Sequence, residues 1–254
     1  MNFGILTKRK KITIISVIIT VIFFLFNYFD ISLYLKFIVG AMITYFLCLW
    51  AFDFDLKRSE YIILPIMPIL FYLSMSLLYP ILEKLNIKYL VYPFILLGMY
   101  ILLLTFNILN ISTFKPIPLS KAAWISLSLW RFIISFLVYT YLFWFHFNWY
   151  VIVSLIFVFS IFIAYPSFYL LIHQLGRGER SLFYIIVVTL AVVEVGFLLT
   201  FWKLPFFGSG LILGALVYIV TGILEAHLKA QLDREFFWEY GVVALFAMLL
   251  MIFL

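Results

Sequence analysis

The 254-residue chain carries 67% hydrophobic and only 11% charged residues. That is far more apolar side chain than one soluble core of this length could hide. The formal net charge of +6 does not point to nucleic acid, because the basic residues sit between apolar runs rather than along one face. The single cysteine, Cys48, excludes an intramolecular disulfide and a cysteine-based metal cluster.

In chain order, Lys8-Arg9-Lys10-Lys11 precedes an apolar run from Ile12 to about Phe29. The run is long enough to cross a bilayer and lacks a small-residue cleavage site, so it is expected to be a retained first helix rather than a signal peptide. Similar runs follow at 31–52, 61–80, 89–111, 123–146, 149–173, 182–202, 209–230 and 238–254. Each has the length that a hydrocarbon core of roughly 30 Å demands at about 1.5 Å per residue. The predicted fold is therefore an all-α polytopic bundle of about nine transmembrane helices, forming a single domain over 1–254. The breaks between them, such as 53–60, the turn at Pro116 and Pro118, and 176–180, are too short for a domain of their own.

Alternate breaks face the same side, and cytoplasmic breaks hold the excess Lys and Arg. Twelve basic residues fall on the N-terminal side: Lys8, Arg9, Lys10, Lys11, Lys57, Arg58, Lys115, Lys121, Arg177, Arg180, Lys229 and Arg234. Only Lys84, Lys88 and Lys203 fall opposite. The expectation is a multi-pass protein of the cell membrane with a cytoplasmic N-terminus and the lipid bilayer as its principal partner. Tyr139, Tyr141, Trp144, Trp149 and Tyr150 surround an outer turn in this scheme, and Trp124 and Trp238 mark the inner boundary.

Ionisable residues inside spans are costly and each needs an account. Glu194 lies about twelve residues into the seventh span, too deep for its short side chain to snorkel. Arg131 lies about eight residues into the fifth, roughly 12 Å from the inner edge against roughly 18 Å for Glu194. A pair between them would satisfy both charges, either as a structural tie or as the midplane element of a substrate or ion pathway. Lys36 is close enough to the outer end of its span to snorkel. Glu225, Lys229 and Asp233 follow at four-residue spacing, with His227 on another side of the same turns. They read as a solvated ion-pair ladder on a helix that extends into the cytoplasm, or as a docking handle for a partner.

Pro65, Pro68, Pro93 and Pro166 lie within or at the edges of spans, where prolines kink helices, and Gly210 and Gly214 form a Gly-x-x-x-Gly face for close helix contact. Ser209 is expected as an N-cap rather than as one half of a dyad with His146. There is no His-Glu-x-x-His, no Asp inside a span and no nucleotide-binding glycine loop. His146, His173 and His227 are spread over both faces, so no metal site and no cofactor is expected. The leading functional expectation is a small-solute or ion-coupled transporter, not an enzyme. The alternative is a non-catalytic subunit or scaffold that meets membrane-protein partners or copies of itself, and a lipid-modifying enzyme comes third.

Overall fold

A computed structural model describes residues 7–52, 59–112, 118–175, 181–202 and 204–230, together with Trp238, Tyr240, Gly241, Val242 and Leu245. Among the described residues there are eight helices long and apolar enough to cross a membrane. They are α1 (Lys8–Tyr28), α2 (Leu33–Ala51), α3 (Glu60–Lys84), α4 (Val91–Ser112, entered through a 3-10 turn at Lys88–Leu90), α5 (Ser120–Trp144), α6 (Trp149–Leu175), α7 (Ser181–Phe201) and α8 (Phe206–Lys229). All eight coincide with runs marked out by hydropathy. The ninth run, 238–254, falls largely outside the described residues.

These segments are helical because lipid offers no partner to a backbone N–H or C=O, and a helix pairs every such group within its own segment. α1 illustrates the solvent in which the chain is stable. Its buried residues Ile12, Ile15, Ile19 and Phe23 recur with helical period, yet Val17, Val21, Phe24 and Leu25 on the other side are exposed and just as apolar. A helix in water would have a polar face there. α3 runs unbroken through Pro65, Pro68 and Pro80, and α6 through Pro166.

The chain forms two compact units, Met1–Ser126 and Leu127–Leu254. In the first, α1 packs on α2 and α4, and α3 also packs on α2 and α4, which closes a four-helix ring. α1 and α3 end alike. Asp30 and Asn86 adopt left-handed backbone at φ 48° and 58°. Around them Ile31 N–H donates to Phe26 O and Asp30 N–H to Asn27 O, just as Ile87 N–H donates to Leu82 O and Asn86 N–H to Glu83 O. Each is a Schellman motif, and Asp and Asn tolerate the left-handed conformation better than most residues.

In the second unit α7 packs on α6 and α8, and α6 also touches α8. α5 meets α8 through the Gly-x-x-x-Gly face expected from the sequence. A Cβ on Gly210 would lie 2.8 Å from Thr140 N and 2.9 Å from Phe136 O, and one on Gly214 would lie 3.2 Å from Phe136 N. The absence of side chains at these two positions lets the α5 backbone approach this closely.

Candidate functional site

α5 carries Ser128, Arg131, Ser135 and Tyr139 at intervals of three and four residues, hence along one side of the helix. Arg131 is completely buried. One terminal nitrogen, Nη1, donates to Glu225 Oε1 of α8 in a buried ion pair. The other, Nη2, donates to Ser128 Oγ at 2.8 Å. The guanidinium Nε finds no acceptor, and one turn along α5 the buried Ser135 Oγ also has no hydrogen-bond partner. A further turn along, the Tyr139 hydroxyl lies 2.7 Å from Ser160 Oγ of α6. Ser160 already gives its proton to Ile156 O at 2.6 Å, so Tyr139 is the donor and Ser160 the acceptor.

The energetics of the pair follow from its surroundings. Burying a lone guanidinium or carboxylate costs several kcal/mol, and mutual attraction with added hydrogen bonds offsets that cost only when both partners stay in place. Arg131 lies eleven residues from the start of α5, about 16 Å along the axis, and Glu225 four residues, about 6 Å, from the end of α8. Arg131 is thus near the middle of α5 while Glu225 is about one turn from the end of α8, and the unpartnered Ser135 lies one turn further along α5. Buried polar groups without partners in a packed interior are rare and mark places where water, an ion or a ligand completes the bonding.

The expectation that Arg131 would pair with Glu194 is overturned. Glu194 lies on α7 in an exposed row with Ile186, Leu190, Phe197 and Leu198, and among the described residues it has no ion-pair or hydrogen-bond partner. The physical reason is rotational: the buried side of α7 carries Val192 and Gly196, with Gly196 set against Ile156 of α6. Two residues separate Glu194 from Gly196, about 200° around the helix.

The ladder at the end of α8 is corrected as well. Glu225 is 5% exposed and committed to Arg131 rather than solvated, so it cannot serve as an exposed docking residue. His227 is exposed and Lys229 half-buried. α8 stops at Lys229, where Ala230 turns left-handed at φ 54°, and Asp233 lies outside the described residues. The sequence did hold a signal for Glu225: Gly210, Gly214, Thr221 and Glu225 fall within about 60° of one another around α8, so the glycine face that meets α5 leads to it. Ser209 is not the N-cap, since Pro205 holds that position, and its hydroxyl is buried without a partner. With His146 exposed in the α5–α6 turn, the two do not form a dyad.

Lys36 lies in the first turn of α2. It donates to Asn27 Oδ1 at 2.8 Å and lies 5.8 Å from the centroid of the Tyr79 ring.

The eight helices among the described residues that are long and apolar enough to cross a membrane define a multi-pass α-helical membrane protein. Residues 51–254 match the family model described as protein of unknown function DUF5656, and the chain belongs to that family. The matched region includes Arg131, Glu194 and Glu225 and leaves out α1 and all of α2 but Ala51. No curated protein and no solved structure matches the chain.

Proposed function

We propose that the chain is a small-solute or ion-coupled carrier of the cell membrane, and that its working element is the Arg131–Glu225 pair. The observation that carries this reading is the state of bonding around the pair. A structural ion pair is served by closing every donor, whereas here Arg131 Nε and Ser135 Oγ are buried with bonds still to make. An ion, a water chain or a polar solute arriving between them would complete those bonds and compete with Glu225 for the guanidinium, which is the kind of exchange transport requires. The distribution of basic residues supports a cytoplasmic N-terminus, and Glu225, about one turn from the end of α8, then lies toward the cytoplasmic side of Arg131.

The test is flux through the reconstituted chain. Proteoliposomes with entrapped pyranine are driven by a potassium diffusion potential, with and without amino-acid and sugar mixtures outside. Arg131→Gln and Glu225→Gln, each shown to fold, should each lower the flux about tenfold or more, and Glu194→Gln should leave it unchanged. A wild-type chain that passes no ion and responds to no solute would exclude the carrier reading. Orientation is checked by labelling introduced cysteines in a Cys48→Ala background. Lys121→Cys and Asn148→Cys, at opposite ends of α5, should react from opposite faces, with Lys121→Cys reached only from the cytoplasm.

A second reading, a non-catalytic subunit of a larger membrane assembly, is favoured by Glu194 itself. A carboxyl set among Ile186, Leu190, Phe197 and Leu198 on a lipid-facing surface is unfavourable by up to several kcal/mol when charged. A neighbouring helix offering a basic or hydrogen-bonding side chain would relieve that. Native electrophoresis after mild solubilisation decides it: a chain that always migrates alone rules the assembly out.

A further inference from the structure

At the end of the first unit where the α1–α2 turn meets the C-terminal end of α3, a cavity of about 390 Å³ opens between Asn27, Asp30, Ser32, Lys36, Tyr79 and Glu83. We propose that it binds a phosphoethanolamine zwitterion, with the primary ammonium on Asp30 and the phosphate on Lys36.

Three features of the cavity select this chemistry. The first is charge. Glu83 is already paired with Lys88 at 2.7 Å, which leaves Asp30 and Lys36 as the balance of the wall, one of each sign. A plain anion or plain cation would answer only half of it, and a molecule bearing both charges answers both. The second is donor capacity. A lysine ammonium has three donors and no acceptor, and Lys36 gives one to Asn27 Oδ1, an uncharged acceptor. Donors remain for an incoming phosphate oxygen, and a charge-assisted bond there is shorter and stronger than a neutral one. Asp30 is a carboxylate and accepts only, so the ligand's nitrogen must carry N–H groups. A primary ammonium does and a quaternary one does not.

The third feature is position. Helices of about 30 Å place their ends at the headgroup level of a bilayer. Here those ends carry Tyr28, Tyr34 and Tyr89, each more than two-thirds exposed, as aromatic residues at a membrane boundary are. A phospholipid whose headgroup entered the cavity would keep its chains in the bilayer beside the exposed Leu85 and Leu90. The backbone holds the wall in place, because Asp30 is the left-handed residue of the α1 Schellman motif and Glu83 lies in the last turn of α3 before the matching one. Ligand sites of a few hundred Å³ lined by a small number of placed polar groups are of ordinary size for a small molecule.

The experiment uses the full chain in nanodiscs, with retained lipid read by native mass spectrometry. Wild type should retain phosphatidylethanolamine about tenfold over phosphatidylcholine, the loss expected when charge-assisted hydrogen bonds are forfeited. Asp30→Asn and Lys36→Gln should each remove that preference while leaving the melting temperature in place, since Asn adopts left-handed backbone readily. Soluble phosphoethanolamine is titrated against lipid-stripped protein in a second arm. Binding there that the same variants abolish assigns the site to the free solute, and binding confined to the nanodisc assigns it to the lipid headgroup. Equal retention of the two lipids without binding of the soluble compound overturns the proposal. So does a preference that survives both substitutions.

Discussion

Replacing Arg131 by Met leaves Glu225 alone in a site where it is 5% exposed, and replacing Glu225 by Met strands a fully buried guanidinium. Removing one member of a buried pair typically destabilises by about 3–5 kcal/mol, because the survivor keeps its desolvation penalty and loses its partner. Removing both substitutes apolar side chains of comparable length and is often near neutral. The double variant should therefore be more stable than either single one, with a coupling energy of about 3 kcal/mol or more by double-mutant cycle. The assay is SDS-induced unfolding of the purified chain in bicelles, which avoids the irreversibility that thermal unfolding of such proteins invites. A parallel cycle between Arg131→Met and Glu194→Gln should give coupling within about 0.5 kcal/mol of zero, as expected for sites without shared partners. Additive losses for Arg131 and Glu225, or strong coupling of Arg131 to Glu194, would falsify the pairing on which the carrier reading rests.

Three further outcomes follow from the geometry. Gly210→Ala should destabilise by about 2 kcal/mol or more and Gly214→Ala by less, because the new methyl meets α5 backbone at 2.8 Å in the first case and 3.2 Å in the second; equal effects in the same unfolding assay would contradict the contact. Tyr139→Phe should cost about 1 kcal/mol, the net worth of one buried hydrogen bond, with Ser160 still bonded to Ile156 O. Glu194→Leu should leave the isolated chain as stable or more stable, since it removes a carboxyl from a lipid-facing surface, and a loss above about 1 kcal/mol would mean that the side chain has an interior partner.

The helices were legible in the sequence because span length is imposed by the bilayer and leaves little freedom, and eight runs agree with helices to within a few residues at most ends. The rotation of each helix was not legible to the same degree. In water, the polar face of an amphipathic helix announces which side is out, but α7 is apolar nearly all round and its exposed Leu190 resembles its buried Val192. Depth alone therefore points Glu194 to the interior. The information lay in small residues instead: Gly196 sets the packed side of α7 against Ile156, and Glu194 is opposite it. Glu225 is hard to place for a related reason. Four-residue charge spacing near a helix end suggests a solvated ladder, and only the glycine face shared with Gly210 and Gly214 shows that Glu225 looks toward α5.

The same comparison bears on what the two carboxyls can do. Glu225 is held by a guanidinium that also donates to Ser128, so a change in its partner bears on Ser128 as well. Among the described residues Glu194 has no such connection. Transport defects from Glu225 variants and assembly defects from Glu194 variants are thus separable in principle, since the two residues share no described contact. A Glu225→Gln variant that lost flux while keeping its native size, beside a Glu194→Gln variant that kept flux while changing its size, would assign one carboxyl to each property.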